Sequence, residues 1–349
     1  MVPTPFLFDL HQDLALYFYS GEGYGYESDS FEKDLPNRQA DLPKFRRGNV
    51  KLVVSSVFPL MRTLDPEIAD LLTRGYGGLN SAFSSTSSTL VAQHLIKIYY
   101  QLQSQFGGRI KIVKTQADLR SILSEPEKTG FLLALEGTES VSDPSDLEIF
   151  RRLGIRSLQF TWNFDTKYAS SCMSEKDYGL TGAGMRLLRL ANEQGIILDL
   201  AHAGKNTCLE VLKQAKLPVL ISHANVAGVF KHSRNIDDSV LDALKLNGGV
   251  IGLTLIPDTY GKPHPDVKDL VQHILHVRDN FGKEILAIGT DYFGLFPPDQ
   301  PPSGLEDISK FANLWYELRA NGFTQEEIEA ISFRNALRVI EANAKNWEI

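Results

Sequence analysis

Residues 196–223 have the sequence IILDLAHAGKNTCLEVLKQAKLPVLISH. Two apolar runs, IILDL and LPVLIS, are followed by His202 and His223, and a helical stretch lies between them. Apolar runs of this length between helices are typical of buried parallel strands. The stretch therefore predicts a strand–helix–strand unit with a histidine at the end of each strand.

The same pattern recurs along the chain. His11 and Asp13 follow FLFDL, Glu136 follows FLLAL, and Asp291 follows EILAIGT. Polar groups at the ends of several parallel strands are how a β/α barrel builds an active site on one rim. Together the apolar runs predict strands near 6–12, 50–58, 131–136, 156–161, 196–201, 217–222, 249–255 and 285–290.

Helical periodicity separates several of these runs, at 181–194, 205–215 and 266–281. Since no GxGxxG opens a helix, the alternation favours a (β/α)8 TIM-like barrel over an open sheet. We expect one domain over residues 1–349 with two C-terminal amphipathic helices after 304, the second opened by a capping box in TQEE, 324–327. The short run IKIV at 110–113 predicts an additional edge strand, and the compositions of 21–34, 74–89 and 297–304 predict loops.

Composition restricts the function. Of 349 residues, 43% are hydrophobic and 23% charged, as in an ordinary globular protein. A net charge of −7 argues against nucleic acid or an anionic membrane surface as a partner. No apolar stretch approaches the roughly 20 residues that cross a bilayer, and the N-terminus lacks the features of a signal peptide. The two cysteines, Cys172 and Cys208, fit a reduced pair in a cytoplasmic protein better than a disulfide.

Histidines and carboxylates at strand ends are candidate metal ligands. Alternation along a strand places His11 and Asp13 on one face, where both can reach one ion. Each residue alone has a plainer explanation, because Glu136 could form a salt bridge and either His202 or His223 could be a core histidine. The five together favour a metal site. His273 and His276 lie mid-helix, away from any strand end, so we expect packing or surface roles for them.

At this point the chain resembles a known family. DLHQDLA (9–15), ALEG (134–137), residues 179–204, PVLISHANVAGVFKHSRNIDD (218–238) and residues 273–294 resemble, in order, the signature segments of the renal (membrane) dipeptidase family. These are binuclear zinc peptidases of the amidohydrolase superfamily. The resemblance implies two Zn²⁺ per chain and a homodimer.

The resemblance also implies roles for individual residues. His11 and Asp13 would bind the first zinc ion, His202 and His223 the second, and Glu136 would bridge them. Asp291 matches the acid/base carboxylate, and Arg234 matches an arginine that meets the substrate carboxylate. A salt bridge from Arg234 to Asp237 or Asp238 is the alternative.

The chemistry suits these residue types. Two cations about 3.5–4 Å apart lower the pKa of a bridging water towards about 7 and polarise the scissile carbonyl. Asp291 could take the proton of that hydroxide and return it to the departing amine. The planar guanidinium of Arg234 suits a terminal carboxylate.

Two positions depart from the family pattern. Trp162, in FTWN, stands where studied members carry a histidine, and Phe293, in DYFG, replaces the second aspartate of DFDG. Imidazole at the first position can bind a substrate oxygen, whereas indole only donates one N–H and packs. Both departures bear on the substrate and leave every proposed metal ligand in place.

We therefore expect a zinc-dependent dipeptidase that cleaves small dipeptides through a hydroxide bridging two zinc ions. Another amidohydrolase activity, such as N-acyl amino acid deacylase or lactonase, is the alternative that Trp162 favours. A barrel that binds metal without turnover is a third hypothesis. Asp291 argues against it, because a pure binder needs no proton shuttle.

Overall fold

A single sheet of nine parallel strands forms the centre of the protein. The structure, a computed structural model, describes residues 4–19, 31–59, 87–295 and 299–347. Every pair of neighbouring strands in these ranges is parallel. The strands are β1 (Leu7–Gln12), β2 (Val50–Val57), β3 (Ile110–Ile112), β4 (Thr129–Leu135), β5 (Ile155–Gln159), β6 (Ile197–Asp199), β7 (Leu220–Ile221), β8 (Val250–Leu253) and β9 (Leu286–Ile288).

Eight of the nine strands close into a barrel. Their order is β2-β1-β9-β8-β7-β6-β5-β4, and β2 pairs with β4 to complete the ring. The closing register runs from Leu52 opposite Gly130 to Val57 opposite Leu135. β3 pairs with β4 alone and stays outside the ring. The predicted (β/α)8 TIM-like barrel and its extra edge strand are therefore confirmed.

Helices follow most of the strands, as the periodicity predicts. The three helices predicted between strands are confirmed as Gly182–Gln194, Lys205–Gln214 and Val267–Asn280. Glycine ends the first of them at Gly195, which adopts the left-handed conformation that glycine tolerates best. The other α-helices of the described residues are Leu14–Phe18, Leu42–Arg47, Ser88–Gln105, Gln116–Ser124, Asp146–Arg152, Asp238–Asn247, Ala312–Ala320, Gln325–Glu329 and Asn335–Ala344.

The C-terminal helices complete the barrel. The capping box predicted at TQEE is present, since Thr324 accepts from the Glu327 N–H and Glu327 from the Thr324 N–H. A π-helical turn, Ala330–Arg334, joins Gln325–Glu329 to Asn335–Ala344. Side chains from this end of the chain bind carbonyls at, or two residues before, the first residue of a strand: Asn335 binds Leu286, Asn343 binds Pro218, and Trp347 binds Gly195. The last helix therefore covers the amino-terminal end of the barrel.

The predicted loops are described only in part, since 21–30, 74–86 and 297–298 lie outside the described residues. Ser88 and Thr89, predicted as loop, instead begin the helix Ser88–Gln105, because the Ser87 side chain accepts from the Leu90 N–H and caps it. The extent of one domain over 1–349 stays a prediction. Among the described residues, no helix has both the length and the apolar character to cross a bilayer.

Candidate metal centre

Six side chains meet at the carboxyl-terminal rim of the barrel. They come from β1 or from the first three residues after β1, β4, β6, β7 and β9, the strands whose apolar runs are followed by these polar residues in the sequence. All are buried, the most exposed being Asp291 at 7%. We call this set the six-residue centre: His11, Asp13, Glu136, His202, His223 and Asp291.

Glu136 lies between the histidines of the six-residue centre. Its Oε2 is 3.1 Å from His11 Nε2, whereas its Oε1 is 3.4 Å from His202 Nε2 and 3.9 Å from His223 Nε2. The Ser56 hydroxyl donates to Oε2 at 2.8 Å and fixes the carboxylate. The two oxygens of Glu136 thus face different histidines, the arrangement that a bridging ligand needs.

The two aspartates of the centre also lie close to its histidines. His11 Nε2 is 3.6 Å from Asp13 Oδ2 and 3.9 Å from Asp291 Oδ1. The second oxygen of Asp291 is 3.8 Å from His223 Nε2. Asp291 therefore reaches both halves of the centre.

His202 and His223 point the same ring nitrogen at each other. Their Nε2 atoms are 2.9 Å apart. The Nδ1 of His202 contacts Asn163 Oδ1 and that of His223 contacts Ser222 Oγ, each at 2.8 Å. At this distance either one nitrogen donates a proton to the other or, if both carry lone pairs, a shared cation removes their repulsion.

The charges of the centre also call for a cation. Burial acts to lower the pKa of His11, but the charges of Glu136 and Asp13 outweigh it and raise that pKa well above its usual value. Burial, with the positive charge of Arg234, lowers the pKa of His202 well below its usual value, so this ring is neutral. Burial raises the pKa of the Asp291 carboxyl to about 7.

The donor set fits metal ions. Among the described residues, His11 Nδ1 and one oxygen of Asp13 are buried without a hydrogen-bond partner. Burying such polar groups costs free energy unless a partner binds them. Neutral imidazoles and carboxylates are ligands that zinc prefers. Among the described residues, two groups bring three ligand atoms within 4.8 Å of one another: His11, Glu136 and His223, and His11, Asp13 and Asp291.

The backbone is strained where it delivers two of these side chains. His202 and Asp291 both have φ of 63°, a left-handed conformation that costs free energy for residues other than glycine. Gly294 lies against the aspartates, since a Cβ there would be 2.3 Å from Asp291 Oδ1 and 2.8 Å from Asp13 Oδ2. The nearby Phe293, which departs from the family pattern, also has a positive φ, of 68°.

Arg234 lies beside the centre and is not in the predicted alternative salt bridge. Its Nη2 donates to the His223 carbonyl at 3.2 Å, and its Nη1 is buried without a hydrogen-bond partner. Asp237 instead pairs with Lys205, and Asp238 contacts a histidine of another helix. A cavity of about 240 Å³ opens beside Arg234 and is lined in part by His202 and Arg234. It is smaller than the pockets that hold drug-sized ligands and is of a size for one residue of a dipeptide.

Trp162 packs at the other side of His202. Its ring centroid is 6.0 Å from that of His202, 5.0 Å from that of Phe58 and 5.4 Å from that of Phe164. The indole is 8% exposed and forms an apolar wall where a polar side chain would offer a second hydrogen-bonding group. The structure therefore brings every predicted site residue to one rim.

The sequence pattern did not identify three residues that lie near the centre. Ser56 and Asn163 hold ligand side chains, and Glu139 has a buried Oε2 without a partner. Asn163 lies in the quoted FTWN segment, directly after Trp162, and its position just past a strand end was the available signal. Ser56 and Glu139 carry no comparable signal, because an isolated serine or glutamate in a loop or strand is common.

The histidines excluded from the site lie elsewhere. His273 is buried in its helix, and its Nδ1 accepts from the Val226 N–H at 3.2 Å. His276 contacts Asp238. Packing and surface roles are confirmed for this pair. Cys172 and Cys208 are both free thiols.

Comparison with known proteins places the chain in a family. Residues 2–348 match the model of the membrane dipeptidase family, peptidase family M19. Dipeptidase verJ of Clonostachys rogersoniana is 31% identical over 250 residues, which are 71% of this chain and 63% of that protein, so the chain spans less than two thirds of this relative. An uncharacterized dipeptidase of Schizosaccharomyces pombe is 29% identical over 343 residues, 95% of this chain and 80% of that protein.

A solved structure shares the fold. It is a metallopeptidase from Rhodobacter sphaeroides liganded with a phosphinate mimic of the dipeptide L-Ala-D-Ala, with a TM-score of 0.83 and 21% identity over 98% of this chain and 100% of that one. Since the family model covers nearly the whole chain, this protein belongs to the membrane dipeptidase family, peptidase family M19, a family of metallopeptidases.

Proposed function

We propose that this protein is a metal-dependent dipeptidase that holds two zinc ions and hydrolyses small dipeptides with a free C-terminal carboxylate. One observation carries the proposal: three histidines and three carboxylates converge at the carboxyl rim of a barrel, with buried ligand atoms that have no protein partner. The names of the two fungal relatives and the dipeptide mimic bound to the Rhodobacter protein support the same substrate class.

The ligands divide into two sets around Glu136. His11 and Asp13 would hold one ion and His202 and His223 the other, with one oxygen of Glu136 directed to each set. When bound, two such ions act as Lewis acids that lower the pKa of a water and polarise the scissile carbonyl.

Asp291 is the proton carrier. Its carboxyl lies within 4 Å of a histidine from each set, so it can reach a water held between the two sets. In the forward reaction a carboxylate oxygen of Asp291 takes a proton from the attacking water. The same oxygen then returns the proton to the leaving amine.

Arg234 orients the substrate. Its guanidinium is tied to the His223 carbonyl through Nη2, and Nη1 has no hydrogen-bond partner. A bidentate contact between guanidinium and carboxylate would hold the C-terminal residue in the adjoining cavity. Trp162 bounds the site with an apolar ring and contributes to binding by packing.

A second amidohydrolase activity follows from one observation. The wall of Trp162, Phe58 and Phe164 next to His202 supplies no hydrogen-bond acceptor, so it suits an apolar acyl group as well as a dipeptide side chain. N-acyl amino acids and lactones are therefore the competing substrates.

Metal content and turnover test the proposal together. We expect about two zinc ions per chain by elemental analysis and hydrolysis of an L,L and L,D dipeptide panel that a chelator abolishes. Asp291→Asn should lower kcat by at least about 10²-fold and keep both metals. If the metal-loaded protein cleaves only N-acyl amino acids or lactones, the proposed substrate class is wrong and these compounds take its place. Undiminished turnover in Asp291→Asn would refute the role of Asp291.

Two further properties are proposals of ours. We propose a homodimer, which light scattering on the purified protein tests, and a cytoplasmic location, which cell fractionation tests. Neither is needed for the chemistry, since all six residues of the centre come from one chain.

A further inference from the structure

We infer that Asn163 is a positioning residue that fixes the tautomer of His202 and so presents the His202 Nε2 lone pair to a metal ion. The inference rests on the proposed function only in assuming that the centre binds metal. It assigns a role to a side chain that touches neither substrate nor metal.

The contact between the two residues sets the tautomer. His202 Nδ1 lies 2.8 Å from Asn163 Oδ1. An amide oxygen only accepts hydrogen bonds, so the proton lies on Nδ1 and Nε2 keeps its lone pair. That Nε2 is the atom 2.9 Å from His223 Nε2 and 3.4 Å from Glu136 Oε1.

The segment that carries Asn163 also holds the backbone of His202. The Thr161 hydroxyl donates to the His202 carbonyl at 3.1 Å, and the Cys172 N–H donates to the same oxygen at 2.7 Å. Together with the ring of Trp162, these contacts surround a residue whose φ of 63° is unfavourable without support. The loop after β5 therefore positions both the ring and the backbone of His202.

The other two histidines of the centre have no equivalent partner. His223 Nδ1 contacts the hydroxyl of its neighbour Ser222, a group that can either donate or accept. Among the described residues, His11 Nδ1 has no hydrogen-bond partner, and His11 Nε2 faces carboxylates of the centre itself, with Glu136 Oε2 at 3.1 Å. Within the described parts of the chain, His202 is therefore the ligand histidine whose Nδ1 contacts a side-chain atom that only accepts hydrogen bonds.

Three variants test this role. Asn163→Leu removes the acceptor, Asn163→Asp keeps an acceptor and adds charge, and Asn192→Leu is the matched control. Asn192 also accepts through Oδ1, from the Lys216 N–H at 3.0 Å, but lies in the helix Gly182–Gln194 away from the centre. Each variant is titrated with zinc against a competing chelator. The tautomer of His202 is read in the metal-free protein from long-range ¹H–¹⁵N correlation spectra.

We expect Asn163→Leu to weaken one zinc ion, the one that His202 would hold, about 10- to 100-fold and to lose the Nδ1–H tautomer. Asn163→Asp should bind zinc at least as tightly as the parent, and Asn192→Leu should match the parent in both measurements. Unchanged zinc affinity in Asn163→Leu would overturn the inference, as would an Asn163→Asp protein that binds as weakly as Asn163→Leu.

The readouts separate this inference from the proposed function. A parent protein that binds zinc but cleaves no dipeptide refutes the proposed substrate and leaves the role of Asn163 standing, if the variants differ as expected. A parent protein that cleaves dipeptides, with an Asn163→Leu variant indistinguishable in affinity and tautomer, refutes the role of Asn163 alone.

Discussion

Gly294 leaves room for the two aspartates of the six-residue centre. A methyl group there would lie 2.3 Å from Asp291 Oδ1 and 2.8 Å from Asp13 Oδ2, so Gly294→Ala must displace one ligand and the proton carrier. Because a misplacement of about 1 Å can cost about 10²-fold in rate, we expect kcat/KM to fall by that factor while the protein stays folded.

Gly182→Ala is the control for Gly294→Ala, since a Cβ on Gly182 meets nothing within 4 Å. Steady-state kinetics and thermal unfolding of both variants provide the measurement. Parent-like activity in folded Gly294→Ala would show that the carboxylates can move without consequence.

Glu139 predicts a dependence of stability on pH. Burial raises the pKa of its carboxyl to about 7 from an ordinary value of 4.5. The folded state then binds more protons than the unfolded state between these values, so this contribution to stability is lost as the pH rises from 4.5 through 7. Glu139→Gln removes this titration. The difference in free energy of unfolding between the metal-free variant and its parent should therefore be about 2 kcal/mol more in favour of the variant at pH 8 than at pH 5.

Urea unfolding at pH 5 and pH 8 measures the effect of Glu139→Gln. The exposed Glu341 supplies a control, because a change there to Gln should alter stability by no more than about 0.5 kcal/mol at either pH. An equal difference between Glu139→Gln and its parent at both pH values would mean that Glu139 is charged throughout.

At this scale the sequence predicts the ligands but not the residues that support them. His11, Glu136 and His223 can be found because a polar side chain after an apolar run is conspicuous. Asn163 and Ser56 act through contacts between strands far apart in the chain, 39 residues for one pair and 80 for the other. The position of Asn163 just past a strand end is a weak local signal, whereas nothing local distinguishes Ser56 from an ordinary polar side chain in a strand.

Helices were predicted closely, whereas several strands are shorter than their apolar runs. The runs at 196–201 and 217–222 give only Ile197–Asp199 and Leu220–Ile221. The Asp199 carboxylate accepts from the Ala201 and Ser222 N–H groups and so takes the place of ladder hydrogen bonds near the rim. The left-handed turn at His202 follows directly. An apolar pattern records burial, but these side-chain contacts decide where pairing ends.

The helix Val267–Asn280 yields a second prediction for pH. His273 lies on its buried face, accepts from the Val226 N–H, and has a pKa lowered to about 4 by burial. Since the unfolded state takes up a proton near 6.5, stability is lost as the pH falls from 6.5 towards 4. Between pH 7 and pH 5 this contribution amounts to about 2 kcal/mol.

His273→Asn keeps an acceptor without the titration, so the metal-free variant should lose about 2 kcal/mol less than its parent between pH 7 and pH 5. His276→Asn, three residues along the same helix, is the control and should follow the parent. Chemical unfolding at both pH values is the measurement. Parallel losses in the parent and His273→Asn would mean that the histidine is protonated without cost in the folded state.

At the scale of the molecule, the order of strands and helices predicts the barrel but not how its amino-terminal end is closed. The number of apolar runs and the helices between them favour a closed ring. In that ring each barrel strand pairs with the barrel strands before and after it in the chain, and β1 pairs with β9 as first with last. The short IKIV run predicts β3 as an edge strand outside the ring, and its pairing with β4 confirms this. The closing contacts of the last helix join residues 125 and 152 positions apart, as from Asn343 to Pro218 and from Trp347 to Gly195.

Trp347 tests whether this closure stabilises the whole barrel. It is 2% exposed, donates through Nε1 to the Gly195 carbonyl at 2.7 Å, and has the Arg156 guanidinium 5.6 Å from its ring. Removing a buried aromatic side chain costs about 3–5 kcal/mol, so we expect Trp347→Ala to lower the free energy of unfolding by that amount. The control is Tyr316→Ala, which should change this free energy little because Tyr316 is 68% exposed. Because the six-residue centre occupies the opposite end of the barrel, the folded fraction of Trp347→Ala should bind zinc as the parent does. A loss of zinc affinity in the folded variant would show that the two ends are coupled, and full stability would show that the last helix covers the barrel without stabilising it.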